Sequence, residues 1–425
     1  MFIELHLIHA LPPSNANRDK SGAPKKIQYG GSWRARLSSQ AQKRAARQHY
    51  GEWMAVDRKA LAFRSRRHDV ALASRLAFGG DADNLMVARF LLGLFNLKDD
   101  NLIPAMLEDS SNLLFLSEHE LDTIAALAAD HSVLLGDMLE RAQRYQEALA
   151  LEPKKAPAPE KPSARDLQSI RKALGKLGQQ VPGDVALFGR MMASLTEASV
   201  DGCTQVADAI SVNSFGITNV KGMGQVIGEL DFFTAEDDIE PLDEESKSGA
   251  GHLGELPIIS PVYYRYANVN VTELARLIGD PELAQQFAKG FITAFCATSP
   301  TGYIRSRAHL TQPDYVQVQV TAAQPYSSVN AFQAPINSCA GDEDFLVQSI
   351  PHQAIDALRQ YQDRLASMYG EKSLYKAEVT TAPSWDLPLS TASEWEVPKV
   401  SLFDQAIDGA LQVAMGAGKP EVAYA

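Results

Sequence analysis

The hydrophobic pattern at the start of the chain predicts a β-strand, a polar loop and then a second strand. In "FIELHLIH" (residues 2–9) apolar and polar residues alternate, so Leu5 faces one side while Glu4 and His6 face the other. This alternation is typical of a strand with one buried face. A turn-rich, positively charged stretch follows, and "WRARLS" (residues 33–38) alternates again before the pattern becomes helical.

The helix after this second strand is predicted to carry its positive charges on one face. Ser39 and Gln42 have the spacing of a capping box, which predicts that the helix starts at Ser39. Cations beside a helix N-terminus favour phosphate, whereas a solvated basic face is the alternative for a helix taken alone. The residues that share the face by i, i+3, i+4, i+7 spacing are Gln40, Lys43, Arg44 and Arg47.

Downstream, the pattern predicts a connector, a long loop and a further strand–helix unit. Prolines at 152–163 indicate an extended connector, and 185–194 has the pattern of a strand ending in a turn. The Gly-rich, acidic segment 213–260 is a long excursion, a kind that is usually functional or disordered. "YYRYANVNVTELARLI" predicts a strand and then a helix beginning near Thr272. Further helices are predicted across 85–150, 352–368 and 402–414.

Composition adds a local contrast in charge. The 425 residues include 40 Lys+Arg and 52 Asp+Glu, a net charge of −12, with 45% hydrophobic residues, enough for a sizeable core in about two or three domains. Between Arg18 and Arg47, however, Asp19 is the only acidic residue among the charged ones. A basic block in an acidic chain suggests a local anionic partner.

Other chemistry is not indicated. The three cysteines are far apart and odd in number, which argues against a disulfide framework and favours a reducing compartment. We find no signal peptide, membrane span, P-loop, zinc motif or nucleophile elbow in the sequence. We therefore expect a cytoplasmic, non-catalytic binding protein with no cofactor, no metal and no membrane partner.

Several blocks, in order, resemble the CasC family, the backbone (crRNA-binding) subunit of the type I-E CRISPR Cascade complex. They are "NRD", "GG…R.R.SSQ..KRA.R", "DVALFGRM", "DFFTAEDD", "GAGHLG" and "YYRYANVN", between about residues 2 and 335. The resemblance implies an α+β fold with a modified ferredoxin-like/RNA-recognition palm, a helical finger insertion and a β-hairpin thumb. The implied boundaries are 1–70 and 181–212 for palm segments, 71–180 for fingers, 213–260 for the thumb, and 261–425 for the second part of the palm with C-terminal helices.

The resemblance also implies the function. Such subunits oligomerise along CRISPR guide RNA in a helical filament with other Cascade subunits, grip the RNA phosphates and present bases for pairing with target DNA. Carried onto this sequence, the palm contacts to phosphate are Ser38, Gln40, Lys43, Arg44 and Arg47. Arg18, Arg34 and Arg36 lie in the matching loop and strand.

The resemblance implies a second group of contacts around a displaced base. Met191 and Leu253 match an apolar wedge, and Phe232, Phe233 and Thr234 match the thumb tip. Glu236 departs from the family pattern, because an apolar residue is expected there.

Two other functions remain open at this point. Related backbone subunits cut target RNA through an acid in the loop after the first strand, so Asp19 could make the chain a metal-dependent ribonuclease. A nucleic-acid protein acting alone is the third hypothesis, against which the net charge of −12 argues. The acidic stretch Glu236–Glu245 is a candidate surface for contact between subunits. We assign no role to 152–163 or 370–425.

Overall fold

The computed structural model describes residues 1–50, 61–109, 113–151, 153, 157–179, 181–215, 227–233, 252–336, 349–370, 372–381 and 402–416. Its strands are β1 (Phe2–Ala10), β2 (Lys26–Tyr29), β3 (Ser32–Leu37), β4 (Ala62–Ser65), β5 (Leu114–Ser117), β6 (Thr204–Val206), β7 (Ala209–Ser211), β8 (Ile227–Phe233), β9 (His252–Ile258), β10 (Val262–Asn270), β11 (Tyr315–Thr321) and β12 (Ser373–Thr380).

The helices are α1 (Ser39–His49), α2 (His68–Ala73), α3 (Asp81–Asn96), α4 (Leu102–Met106), α5 (Glu118–Asp130), α6 (Ser132–Leu151), α7 (Ala164–Gly175), α8 (Gly183–Phe188), α9 (Val271–Ile278), α10 (Pro281–Ala297), α11 (Ile304–Arg307), α12 (Ile350–Tyr369) and α13 (Leu402–Ala414). The chain divides into two compact units. The first comprises Met1–Trp53, Gln205–Val271 and Lys289–Ala425, and the second comprises Met54–Thr204 and Thr272–Ala288.

The first unit is built on one large sheet with the strand order β12-β11-β1-β10-β7-β3-β2, and β6 also pairs with β10. Its central strands β11, β1, β10 and β7 pair antiparallel. In chain order, α1 lies between β1 and β7, and α9 and α10 lie between β10 and β11. Numbered along the chain, these four strands are arranged fourth, first, third, second, which is the β-α-β-β-α-β arrangement of ferredoxin-like folds. The predicted α+β class is confirmed.

Strand β1 is buried on both faces, so the prediction of one exposed face is wrong. Every residue from Ile3 to His9 is buried, because helices and loops cover both sides of the sheet. On one side Ile8 belongs to a core cluster with Phe332 and with Leu358 of α12. On the other side α1 and α10 are held to the sheet by Arg265, as described below.

The polar residues of β1 are therefore buried and hydrogen-bonded. The Glu4 carboxylate accepts the hydroxyl of Tyr266 at 2.7 Å, and Nδ1 of His6 lies 2.8 Å from the hydroxyl of Tyr264. Burial raises the pKa of Glu4 and, with a smaller contribution from Lys376, lowers the pKa of His6 to about 3. An uncharged His6 is the form that a buried position tolerates at neutral pH.

The second unit is mainly helical, and its core is formed by α2–α7 with the short β4–β5 pair. The predicted helical region 85–150 contains α3, α4, α5 and α6, with β5 between α4 and α5. The predicted strand at 185–194 is wrong, because α8 occupies its first residues and ends at Phe188, with Gly189 as the C-cap residue. Periodicity alone does not separate a four-residue apolar run in a strand from one in a helix.

The remaining predicted helices agree with the structure. Helix α9 begins one residue before Thr272, and α12 and α13 match the segments predicted at 352–368 and 402–414. Hairpin β8–β9 lies within 213–260. The palm, finger and thumb boundaries stay a prediction.

The two cysteines that lie in the described residues, Cys203 and Cys296, are free and buried. Burial raises the pKa of each thiol to about 12, so both are protonated at neutral pH. Within the described residues, no helix is long and apolar enough to cross a membrane.

Candidate nucleic-acid interface

Helix α1 is fixed to the sheet by Gln42. The Gln42 amide donates to the carbonyls of Ala207 at 2.9 Å and Leu37 at 3.3 Å, and its oxygen accepts Nε of Arg265 at 3.2 Å. Gln42 is thus an anchor in the core, so the predicted capping box is wrong and Ser38 is the N-cap residue, with no side-chain cap bond. The opposite face of α1 is directed outward.

That outward face carries the predicted polar and basic residues. Gln40 and Arg44 are exposed, and Lys43 and Arg47 are partly exposed. Partial burial lowers the pKa of Lys43. The structure therefore brings four of the predicted phosphate contacts together on one side of α1.

The N-terminus of α1 is occupied by a carboxylate. Asp208 accepts the N–H of Ser39 at 2.7 Å and also Nε of Arg36 at 2.8 Å, while Asn17 accepts the N–H of Ser38 at 2.9 Å. An acidic side chain in this position is favourable, because the helix dipole places partial positive charge there. The N–H groups at the start of α1 are thus already hydrogen-bonded within the protein, and Arg36 is bonded to the same Asp208 carboxylate.

Arg34 is a core residue in this structure. Its side chain is 0% exposed, and its guanidinium donates to the carbonyls of Ser211, Val212, Phe332 and Gln333 at 2.9–3.1 Å. A guanidinium committed to four carbonyls is not available to a phosphate, so we leave Arg34 out of the interface. Ser38 is also buried, and its hydroxyl lies 3.4 Å from Nζ of Lys25.

A polar cleft of about 550 Å³ lies beside the basic face of α1. The loop after β1 forms one side with Arg18 and Lys20, α1 contributes Arg44, and the segment 300–302 closes the other side. The guanidinium of Arg18 lies 4.3 Å from the ring centre of Tyr303, a cation–π contact. Arg44 lies both in this cleft and on the outward face of α1, so the two features form one basic surface.

Tyr303 was missed in the sequence. It adopts a left-handed backbone conformation with φ 55°, which is uncommon for a bulky residue and often marks functional sites. The available signal was the aromatic–basic run "YIRSR", but Arg18 lies 285 positions earlier, and only the fold brings the two together.

The Asp19 carboxylate stabilises its own loop through hydrogen bonds. Its Oδ1 accepts the N–H and the hydroxyl of Ser21 at 2.9 and 2.6 Å and the N–H of Ala23 at 3.1 Å. The hydroxyl bond from Ser21 contributes most to lowering the pKa of Asp19. In the described residues no cluster of three or more His, Cys, Asp or Glu could hold a metal ion.

Met191 lies in the second unit and is 84% exposed, so core packing does not explain it. The preceding Arg190 is buried, with its guanidinium bonded to Glu120 and to the carbonyls of Leu177 and Ala198. Gly189 has φ +79°, and a Cβ there would lie 3.0 Å from the carbonyl of Val200. A rigid turn therefore presents an apolar side chain to solvent.

The other predicted wedge residues lie on hairpin β8–β9. Phe232 is paired with Leu253 across the hairpin, and Phe233 with His252. The backbone register thus places three of the predicted residues at neighbouring positions. Thr234, Glu236 and the acidic stretch 236–245 lie outside the described residues.

Comparison with known proteins identifies the family. Residues 3–402 match the sequence profile of the CT1975-like proteins, Cas_CT1975. The chain belongs to this family. A comparison with curated proteins finds no match.

Solved structures similar to this CT1975-like chain come from CRISPR assemblies. One chain of a "CRISPR RNA-guided surveillance complex, pre-nicking" is 27% identical with a TM-score of 0.68, over 97% of this chain and 100% of that chain. A chain of another "CRISPR RNA-guided surveillance complex" shares the fold, with 24% identity and a TM-score of 0.60 over the same shares.

Two single arginine substitutions should distinguish a core residue from an interface residue by their effects on stability. Arg34→Met should lower the free energy of unfolding by more than about 3 kcal/mol, because each buried carbonyl left without a donor costs about 1–3 kcal/mol. Arg44→Met, at an exposed position, should leave it unchanged. Urea denaturation followed by circular dichroism measures both, and equal stability of the two variants would contradict the assignment.

Proposed function

We propose that this chain is a non-catalytic backbone subunit of a Cascade-type CRISPR complex that binds the phosphates of guide RNA. The observation that carries the proposal is the basic surface formed by α1 and the Arg18–Arg44 cleft. It occurs in a CT1975-like chain with neighbours in RNA-guided surveillance complexes. The finer assignment, type I-E and CasC, rests on the ordered motifs in the sequence.

The chemistry of this surface suits the RNA backbone. Its groups are guanidinium, ammonium and amide donors, which contact phosphate oxygens without reading base identity. A carrier of many different guides needs this kind of contact. The net charge of −12 on the whole chain disfavours indiscriminate binding to nucleic acid over the whole surface.

The coverage of the sheet supports RNA binding on the side of the sheet where α1 lies. Ordinary RNA-recognition domains stack bases on aromatic residues of the open sheet. Here Tyr264, Tyr315 and Phe332 are buried in the cluster that includes α12. The RNA is therefore expected on α1 and the adjoining loop.

We further propose that copies assemble along the guide in a helical filament with other Cascade subunits, leaving bases free to pair with target DNA. Exposed Met191 and the paired Phe232 and Leu253 are the residues proposed to flank a displaced base. Inserting apolar side chains beside a base costs a few kcal/mol of unstacking. The phosphate contacts of each subunit offset that cost.

Neutralising α1 should weaken RNA binding and reduce its salt dependence. Lys43→Gln with Arg47→Gln removes two proposed contacts, so the slope of log K against log[salt] should fall in magnitude by about 1.4, at about 0.7 per contact. Fluorescence anisotropy with a labelled single-stranded RNA between 50 and 300 mM NaCl measures it. Lys172→Gln with Lys176→Gln on and just after α7 is the charge-matched control, and equal slopes for both variants would sink the proposal.

The ribonuclease hypothesis predicts a different result. The assembled complex, incubated with complementary RNA and Mg²⁺, should leave the RNA intact, because Asp19 is proposed to shape its loop only. Product sizes on a denaturing gel report this. Regularly spaced cuts that disappear with Asp19→Ala would show that the subunit is an enzyme.

A further inference from the structure

A second pocket, of about 440 Å³, lies within the first unit on the α12 side of the sheet. Glu4 and His6 of β1 and Gln319 of β11 form its floor, the last turns of α12 form one wall, and the loop 324–330 forms another. The α1 face and the Arg18–Arg44 cleft share none of these residues. Its volume suits a small ligand, for which protein sites typically measure about 300–1,000 Å³.

The pocket is held open by buried hydrogen bonds. The Glu4 carboxylate accepts the N–H of Tyr326 at 2.9 Å, and the hydroxyl of Tyr264 accepts the N–H of Ser328 at 2.9 Å. Both acceptors are buried in the sheet. The loop that forms the second wall is thus fixed before any ligand arrives, which reduces the entropic cost of binding.

The walls present aromatic rings that the core leaves uncovered. Tyr326 on the loop and Tyr369 on α12 are 63% and 65% exposed, and Tyr361 also lines the pocket. Single exposed aromatic residues are common, but several that line one pocket form a patch of the kind that marks a ligand or partner site. Flat rings on both walls suit a flat ligand that stacks.

The remaining lining suits the edge of a nucleobase and a phosphate. Gln319, Gln324 and Asn330 contribute side-chain amides, which can both donate and accept. The amide oxygen of Asn330 already accepts the hydroxyl of Tyr29 at 2.7 Å. For the side-chain amides of Gln319 and Gln324, no hydrogen bond to the described residues is found. Lys372 and Lys376 supply positive charge, which is partly offset by Asp363 in the lining and by Glu378, whose carboxylate lies 3.4 Å from Nζ of Lys376.

We infer that this pocket binds one unpaired nucleotide, with the base between Tyr326 and the tyrosines of α12 and its edge on the amides. The inference rests on the proposed function, because the ligand class is the same. The site is separate from the phosphate contacts proposed on α1 and in the Arg18–Arg44 cleft. A guide RNA and a displaced DNA strand both offer such a nucleotide. Ribose and deoxyribose ligands distinguish these sources.

The test uses the full chain and mononucleotides, which are too small to span both sites. Saturation-transfer NMR with 5′-UMP, 5′-AMP and 5′-dAMP should show stronger saturation of base protons than of sugar protons. A preference for AMP over dAMP, which differ only in the 2′-hydroxyl, would identify the RNA as source, and the reverse the DNA. Tyr326→Ala should weaken binding about tenfold through lost stacking, whereas Met368→Ala, exposed on α12 outside the pocket lining, should not.

Three results would overturn the inference. The first is no saturation of any nucleotide, and the second is unchanged saturation in the variant that combines Tyr326→Ala with Tyr369→Ala. The third is loss of the signal in the Lys43→Gln, Arg47→Gln variant, which would place the nucleotide on α1. In that third case the proposed function stands and only the pocket assignment fails.

Discussion

The fold depends on one buried guanidinium that joins α1 and α10 to the sheet. Arg265, 1% exposed, donates to Gln42 of α1, to the carbonyl of Phe295 in α10 at 2.6 Å and to Nδ1 of His9 at 3.0 Å. His9 accepts this bond because its Nε2–H donates to the carbonyl of Thr311. Burial is the main cause that lowers the pKa of Arg265 to about 10, so the group stays charged at neutral pH, with every nitrogen donating to a neutral acceptor. The position of α1, and hence of its cations, follows from this contact.

Helices that pack on both sides of the sheet cover its aromatic face and orient the basic residues of α1 outward. Because α12 and Phe332 cover the aromatic face of the sheet, bases cannot stack across it as they do in ordinary RNA-recognition domains. Because Gln42 turns inward, Lys43, Arg44 and Arg47 turn outward. In the proposed function the RNA backbone therefore contacts a helix, and a pocket lined by Tyr326 and Tyr369 remains on the α12 side of the sheet.

Local structure could be predicted from the sequence, but the side-chain hydrogen-bond partners that lie far along the chain could not. Alternation located β1 and β3, and helical spacing located the outward face of α1, because both depend on near neighbours. The roles of Arg34, Arg36 and Arg44 could not be separated, since all three are cations in one short stretch. Their difference comes from residues far along the chain, the carbonyls of Phe332 and Gln333 for Arg34 and the carboxylate of Asp208 for Arg36. The hydrogen-bond partners of Glu4 and His6 likewise lie far along the chain, at Tyr264, Tyr266 and Tyr326.

The central claim is that this chain forms a backbone along guide RNA. The most direct measurement is multi-angle light scattering on a sizing column, with single-stranded RNAs of increasing length. For a chain that forms a backbone along RNA, the mass of the complex should rise in steps of about one subunit, 46.3 kDa, as the RNA lengthens. A complex that stays at one chain per RNA, whatever its length, would contradict it.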